Sequence, residues 1–129
     1  MSTTKRAAVF TAAATLLVCC GGAAGASQAS ASTYTCHYSY NDSTDEAFAG
    51  YYGGSTYVPV FGTFSKATIE AQCLLNQDGL DPGLVVDGIY GPNTENAVYD
   101  LQVAENIGAD GYVGPQTWPY LRDAAYKNG

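Results

Sequence analysis

Two carboxylates, Asp87 and Asp110, each head an Asp-Gly turn with an aromatic ring and a side-chain amide close behind. Tyr90 and Asn93 follow the first, Tyr112 and Gln116 the second. This mixture suits a polar polymer: rings stack on the C–H faces of sugars, while Asp, Asn and Gln hydrogen-bond hydroxyls and amides. Trp118, the one tryptophan, lies just beyond the second set and is either a sugar platform or a core residue. Hydrolysis is the other chemistry that paired carboxylates suggest. It needs a cleft that holds both substrate and water, which so short a chain of small helices does not offer. Nor is there a catalytic constellation. The lone His37 has no H-E-x-x-H or second histidine, Asp42 and Asp45 are a thin basis for zinc, and no G-x-S-x-G elbow occurs. Asp78, Asp81 and Asp87 fail the spacing of a calcium loop. No enzyme activity, cofactor or metal is expected.

The same residues have structural readings. An Asp side chain accepts hydrogen bonds from backbone N–H groups a few residues on, closing the turns that Gly88 and Gly111 permit. Thr94 and Thr117 fall in the first turn of a helix, where a hydroxyl can bond backbone. Trp118 and Leu121 share helical spacing, which favours the core reading for the tryptophan.

Both turns belong to a longer pattern. Asp87-Gly88-Ile89-Tyr90-Gly91-Pro92-Asn93-Thr94 is repeated as Asp110-Gly111-Tyr112-Val113-Gly114-Pro115-Gln116-Thr117. In each copy a Gly free to take positive φ, Gly91 or Gly114, precedes a Pro suited to the first helical position. Upstream, Ala71-Gln72-Cys73-Leu74-Leu75-Asn76 corresponds to Leu101-Gln102-Val103-Ala104-Glu105-Asn106. The unit is helix, loop, Asp-Gly-x-x-Gly-Pro, helix, with the middle helix shared.

The apolar spacing predicts three helices. The first runs from about Ser65, as N-cap, to Asn76, with Ala67, Ala71, Leu74 and Leu75 on one face and Ile69 and Cys73 on a neighbouring stripe. The second covers Pro92 to Asn106, with Ala97, Leu101 and Ala104 on one face and Val98 beside them. The third covers Pro115 to about Tyr126, with Trp118, Leu121 and Ala125 inward. Pro119, in its second turn, removes a hydrogen bond and bends its start. In the intervening loop, Leu84-Val85-Val86 is expected to pack inward.

This pattern resembles the small bacterial peptidoglycan-binding domain. The correspondence runs through Asp87, Gly88, Tyr90, Gly91, Thr94, Ala97, Val98, Leu101 and Gln102, then Asp110, Gly111, Val113, Gly114, Thr117, Trp118 and Leu121. Two departures lie in the first helix, where Thr68 replaces the usual Val and the lead-in survives only as Gly62-Thr63-Phe64-Ser65. The resemblance implies binding of peptidoglycan, through glycan or stem peptide. In that family the domain commonly accompanies a separate wall hydrolase or peptidase.

The chain of 129 residues leaves room for one domain. Lys5-Arg6, the apolar run from Ala7 to Cys20 and Ala29-Ser30-Ala31 describe a secretory signal peptide over residues 1–31, cleaved after Ala31 or, second, after Ala26. Cys19 and Cys20 fit a lipoprotein signal poorly. Processing would leave Lys66, Arg122 and Lys127 against all 12 acids, a balance that excludes nucleic acid and anionic membrane as partners of the mature form. It would also leave Cys36 and Cys73, an even pair that reads as a disulfide in an exported protein, contributing on the order of 3–4 kcal/mol.

Residues 32–60 carry Tyr34, Tyr38, Tyr40, Tyr51, Tyr52 and Tyr57 without a helical period and are expected as an extended arm, with one helical turn at Ser43–Ala49 ended by Gly50. Its rings either cover apolar surface, the preferred reading, or offer faces to a ligand. The expected fold is all-α: a small three-helix bundle over residues 61–129 with the arm stapled to it by the disulfide. The expected function is non-catalytic wall binding by a secreted, cell-wall-associated protein. The alternative is a protein-interaction module or inhibitor acting on a peptidase or wall hydrolase.

Overall fold

The computed structural model describes residues 32–129; the predicted signal peptide lies outside them. The chain forms β1 (Ser39–Asn41), β2 (Glu46–Phe48), α1 (Lys66–Asp78), α2 (Pro92–Ala104) and α3 (Thr117–Lys127). The class is all-α, three helices with one small hairpin. α1 packs chiefly against α3, and β2 lies against both.

Helix α1 begins where Ser65, in extended conformation, accepts the Thr68 N–H on its hydroxyl, and ends at Gly79 with φ 87°. Its two predicted stripes enter different clusters. Ala67, Ala71, Leu74 and Leu75 join the main core with Tyr90, Val98, Leu101, Val113, Trp118 and Leu121. Ile69 and Cys73 pack with Ala49, Tyr34, Tyr38 and Tyr51 of the arm. The helix is buried without interruption from Ala67 to Leu75, its polar Thr68, Glu70 and Gln72 included. Thr68 places its hydroxyl 2.9 Å from the Ser65 hydroxyl.

Helix α2 starts at Pro92 with Gly91 as N-cap. It stops two residues short of the predicted end. Asn106 turns left-handed at φ 57°, Ile107 N–H reaches back to the Gln102 carbonyl and Asn106 N–H to that of Val103. Ala104, predicted to face inward, is exposed, because this last turn lies beyond the core contact of Ala97, Val98 and Leu101.

The third helix is assigned from Thr117, not Pro115. Trp118 N–H closes one turn on the Gly114 carbonyl at 3.1 Å. The next bond of the ladder would run from residue 119 to Pro115, and Pro119 has no N–H to give. Pro115 and Gln116 are therefore a turn that feeds the helix.

The arm differs most from expectation. Ser43–Ala49 is no helical turn: Ser39↔Phe48, Tyr40↔Ala47 and Asn41↔Glu46 pair antiparallel. The Asn41 side chain accepts the Ser43 N–H at 3.0 Å, and Asp45 takes φ 57° to bring the chain back. Alternation then buries Ala47 and Ala49. Cys36 and Cys73 form the disulfide, with Cα atoms 5.7 Å apart. Tyr38 and Tyr51 hydroxyls donate to the Cys73 and Thr35 carbonyls, so these rings cover apolar surface with their polar ends satisfied.

Candidate functional site

Two matched hydrogen-bond networks build the turn motifs. On α1, the buried Gln72 donates from Nε2 to Asp87 Oδ1 (3.0 Å), the Ile89 carbonyl (3.1 Å) and Thr94 Oγ1 (3.0 Å), and its Oε1 accepts Gly88 N–H at 2.9 Å. On α2, Gln102 donates to Asp110 Oδ1, the Tyr112 carbonyl and Thr117 Oγ1, each at 3.0 Å, and accepts Gly111 N–H at 2.8 Å. Asp87 and Asp110 also accept from the N–H two residues on, Ile89 and Tyr112, at 3.0 and 2.9 Å. Each Gln thus sews one turn to the start of the next helix, and one oxygen of each Asp is committed to that turn.

The backbone freedom is needed at a different glycine from the one expected. Gly88 and Gly111 take φ 78° and 80°, whereas Gly91 is extended at φ −105°, ψ −173°. The residue before a proline is driven to extended geometry, which also suits an N-cap. At Gly88 a Cβ would also meet the Phe64 ring at 2.5 Å.

The candidate ligand residues do not converge on one surface. Tyr90 is wholly buried, its hydroxyl donating to the Gly111 carbonyl, and so joins the two turns. Burial, with Glu95, Asp110 and Tyr112 nearby, pushes its pKa far above the ordinary tyrosine range. Tyr112 lies half-buried and stacked on it, ring centroids 5.9 Å apart. Trp118 is buried, donating from Nε1 to the Tyr57 carbonyl at 2.8 Å. It is a core residue. Gln116 and Asn93 are exposed, each at the start of its own helix.

Asn93 and Asp87 are the two that meet a concavity. A groove of about 410 Å³ runs between the 79–86 loop and α2, lined by Asp81, Leu84, Val85, Asn93, Asn96 and Ala97 among others. A smaller hollow of about 170 Å³ shares Leu84, Val85 and Asn93 and reaches Gln72, Asp87 and Thr94. Asn76 shapes the loop by bonding Leu84 in both directions, at 2.7 and 2.9 Å. Val85, predicted to pack inward, is instead 59% exposed on the groove wall. With Leu84 and Val86 half-buried on either side, the segment alternates and turns its middle residue outward.

The groove's electrostatics are acidic. Burial raises the Asp78 pKa, with Glu105 and Asp81 repelling its charge; burial also raises that of Asp81, with Asp100 beside it. Asp78 Oδ2 is buried without a hydrogen-bond partner, while the Asp81 carboxyl lies within hydrogen-bonding reach of the Asp100 side chain. Sequence reasoning weighed Asp81 only as a calcium ligand and overlooked Asn96. The available signal was the Asp81-Pro82-Gly83 turn ahead of an apolar triplet, facing a helix with Asn93 and Asn96 at i and i+3.

It also overlooked the ion pair that holds the arm. Glu70 and Arg122 are both fully buried, 3.0 Å apart. Glu70 accepts the N–H groups of Ala49, Tyr51 and Tyr52 at 2.7 to 3.1 Å. Arg122 donates to the carbonyls of Ala47, Tyr52 and Gly54 and lies 4.3 Å from the Phe48 ring centroid. An acid among the apolar positions of α1 and a base four residues after Trp118 were the clue.

Among known proteins, the family model described as "Putative peptidoglycan binding domain" matches residues 64–121, which include both turn motifs, α1, α2 and the start of α3. A solved structure, a peptidoglycan-binding protein from Clostridioides difficile in complex with glutamine hydroxamate, is similar with a TM-score of 0.57 and 28% identity, over 68% of this chain and 57% of that one. The present chain thus spans little more than half the length of that protein. No curated protein matches.

Proposed function

We propose that this protein binds peptidoglycan of the bacterial cell wall and does not cleave it. The observation that carries this reading is the family match over residues 64–121, whose bounds enclose both glutamine-sewn turns and the groove beside the first. The likeness to a protein named for peptidoglycan binding supports it. The two networks, equal bond for bond, favour reading the turn motifs as an internal repeat of one unit. Residues 1–31 as a signal peptide, a mature form acting at the wall outside the cell, and a separate wall hydrolase as partner complete the reading.

Two surfaces are offered to the polymer. One is the groove with Asp87 and Asn93 at its end; the other is the second turn, where Tyr112 and Gln116 are accessible. Co-sedimentation of the purified, oxidised protein with peptidoglycan tests the reading. Saturable binding is expected, weakened by roughly tenfold in a Tyr112→Ala, Gln116→Ala variant if the second turn takes part, as expected for losing one ring and one amide contact. Native protein that stays in the supernatant at all salt concentrations would refute wall binding. The second reading, a secreted protein partner, would then be taken up. It is favoured by one observation, the exposed Val58, Val60, Phe61, Phe64 and Ile89.

A further inference from the structure

The groove between the 79–86 loop and α2 has walls of mixed chemistry. Leu84, Val85 and Ala97 are apolar, Asn93 and Asn96 bring side-chain amides, and Asp81 brings a carboxylate. Among the described residues, none that lines the groove or the adjoining hollow is aromatic, in a chain with 11 tyrosines. A saccharide is gripped by a ring against its C–H face, and this groove has none to give. An Asn amide, donor and acceptor at once, matches the N–H and C=O of a peptide group instead.

Asp81 supplies the second half. Its carboxyl lies within hydrogen-bonding reach of the Asp100 side chain, and the ion pairs among the described residues, Arg122 with Glu70 and Lys127 with Asp123, bring no cation to it. Burial and the neighbouring Asp100 already disfavour its charge. A carboxylate in that position gains from any cation brought to it, and most from an ammonium that can also hydrogen-bond.

We infer that the groove holds the peptide part of the wall polymer, with Asn93 and Asn96 on its amide groups and Asp81 receiving a free amine on a side chain of that peptide. This rests on the wall-binding reading above and narrows it. The amide pair gives affinity for the peptide backbone, and Asp81 gives preference for an amine-bearing residue at one position.

Calorimetric titration with three soluble probes tests it: a short peptide with a free side-chain amine, the same peptide with that amine acetylated, and a peptide-free oligomer of N-acetylglucosamine. The free-amine peptide should bind, and acetylation should weaken it on the order of tenfold or more, the loss of one charge-assisted hydrogen bond. Asp81→Asn should abolish that difference while keeping native circular dichroism. Asn96→Ala should weaken both peptides alike. Equal binding of the two peptides, binding of the oligosaccharide alone, or no binding of any probe would overturn the inference. Co-sedimentation with whole wall, run on the same protein, separates the two levels: failure to sediment defeats wall binding itself, whereas sedimentation retained with any of those three outcomes defeats only the peptide site.

Discussion

At the scale of single residues, Gln72 and Gln102 carry more than their polarity suggests. Each side-chain amide satisfies both donors and its acceptor inside the protein, and its partners include a backbone N–H, that of Gly88 or Gly111, that would otherwise be orphaned. Gln102→Leu keeps the size and removes all of these at once. It should lower unfolding free energy by about 2–4 kcal/mol, more than the ~1 kcal/mol of an ordinary hydrogen bond, because several buried groups lose partners together. Urea denaturation measures it; a loss under 1 kcal/mol would mean that water repairs the turn. Asp78 and Asp81 make the opposite case. Their pKa values are raised in the folded state from 3.8, so the folded protein binds those protons more tightly than the unfolded chain. Stability from this pair is fully present below the unfolded pKa and is lost as pH rises through the raised values. Asp81→Asn should therefore raise the melting temperature at pH 7 and leave it little changed near pH 3.5. A melting temperature lowered at pH 7 would show that the carboxylate has a stabilising partner.

At the scale of elements, the disulfide and the hairpin divide the work of holding the arm. Cys36–Cys73 ties its first part to α1, with Tyr34 N–H on the Val86 carbonyl and His37 N–H on that of Ala49. Residues 47 to 54 are held by Glu70 and Arg122 instead. A Cys36→Ser, Cys73→Ser protein should lose on the order of 3–4 kcal/mol by the chain-entropy account. In hydrogen exchange, the amides of Tyr34 and His37 should lose protection while those of Ala49 and Tyr51 keep theirs relative to the lowered global stability. Uniform loss across residues 34 to 51 would show one cooperative strap. The helices and their faces were legible because Ser65, Pro92 and the 3.6-residue spacing are local signals. The cysteine pair was legible from its even number. The hairpin was not, since Glu46-Ala47-Phe48 is too short for a period and becomes a strand only by docking Ala47 and Ala49 against the bundle. The groove was hidden for a similar reason: Asp81 and Asn96 meet only when the loop folds across α2.

At the scale of the whole molecule, α1 is enclosed on nearly every side, and the enclosure depends on Glu70. A buried ion pair is often no better than two apolar residues of similar size, because desolvation offsets the attraction. Here the carboxylate has a second task. Besides Arg122 it receives the N–H groups of Ala49, Tyr51 and Tyr52, where the chain leaves β2 without a strand partner. Arg122→Met alone should cost roughly 3–5 kcal/mol, since it strands a buried carboxylate and frees the carbonyls of Ala47, Tyr52 and Gly54. Were the two residues merely an ion pair, adding Glu70→Leu to that variant would restore most of the loss. The backbone bonds predict otherwise: the double variant should be no more stable than the single one, because removing the carboxylate orphans the amide groups it served. A double-mutant cycle in urea decides this. Recovery to within ~1 kcal/mol of the natural protein would reduce Glu70 to a counter-ion, and failure to recover would make it the acceptor around which the arm closes over α1.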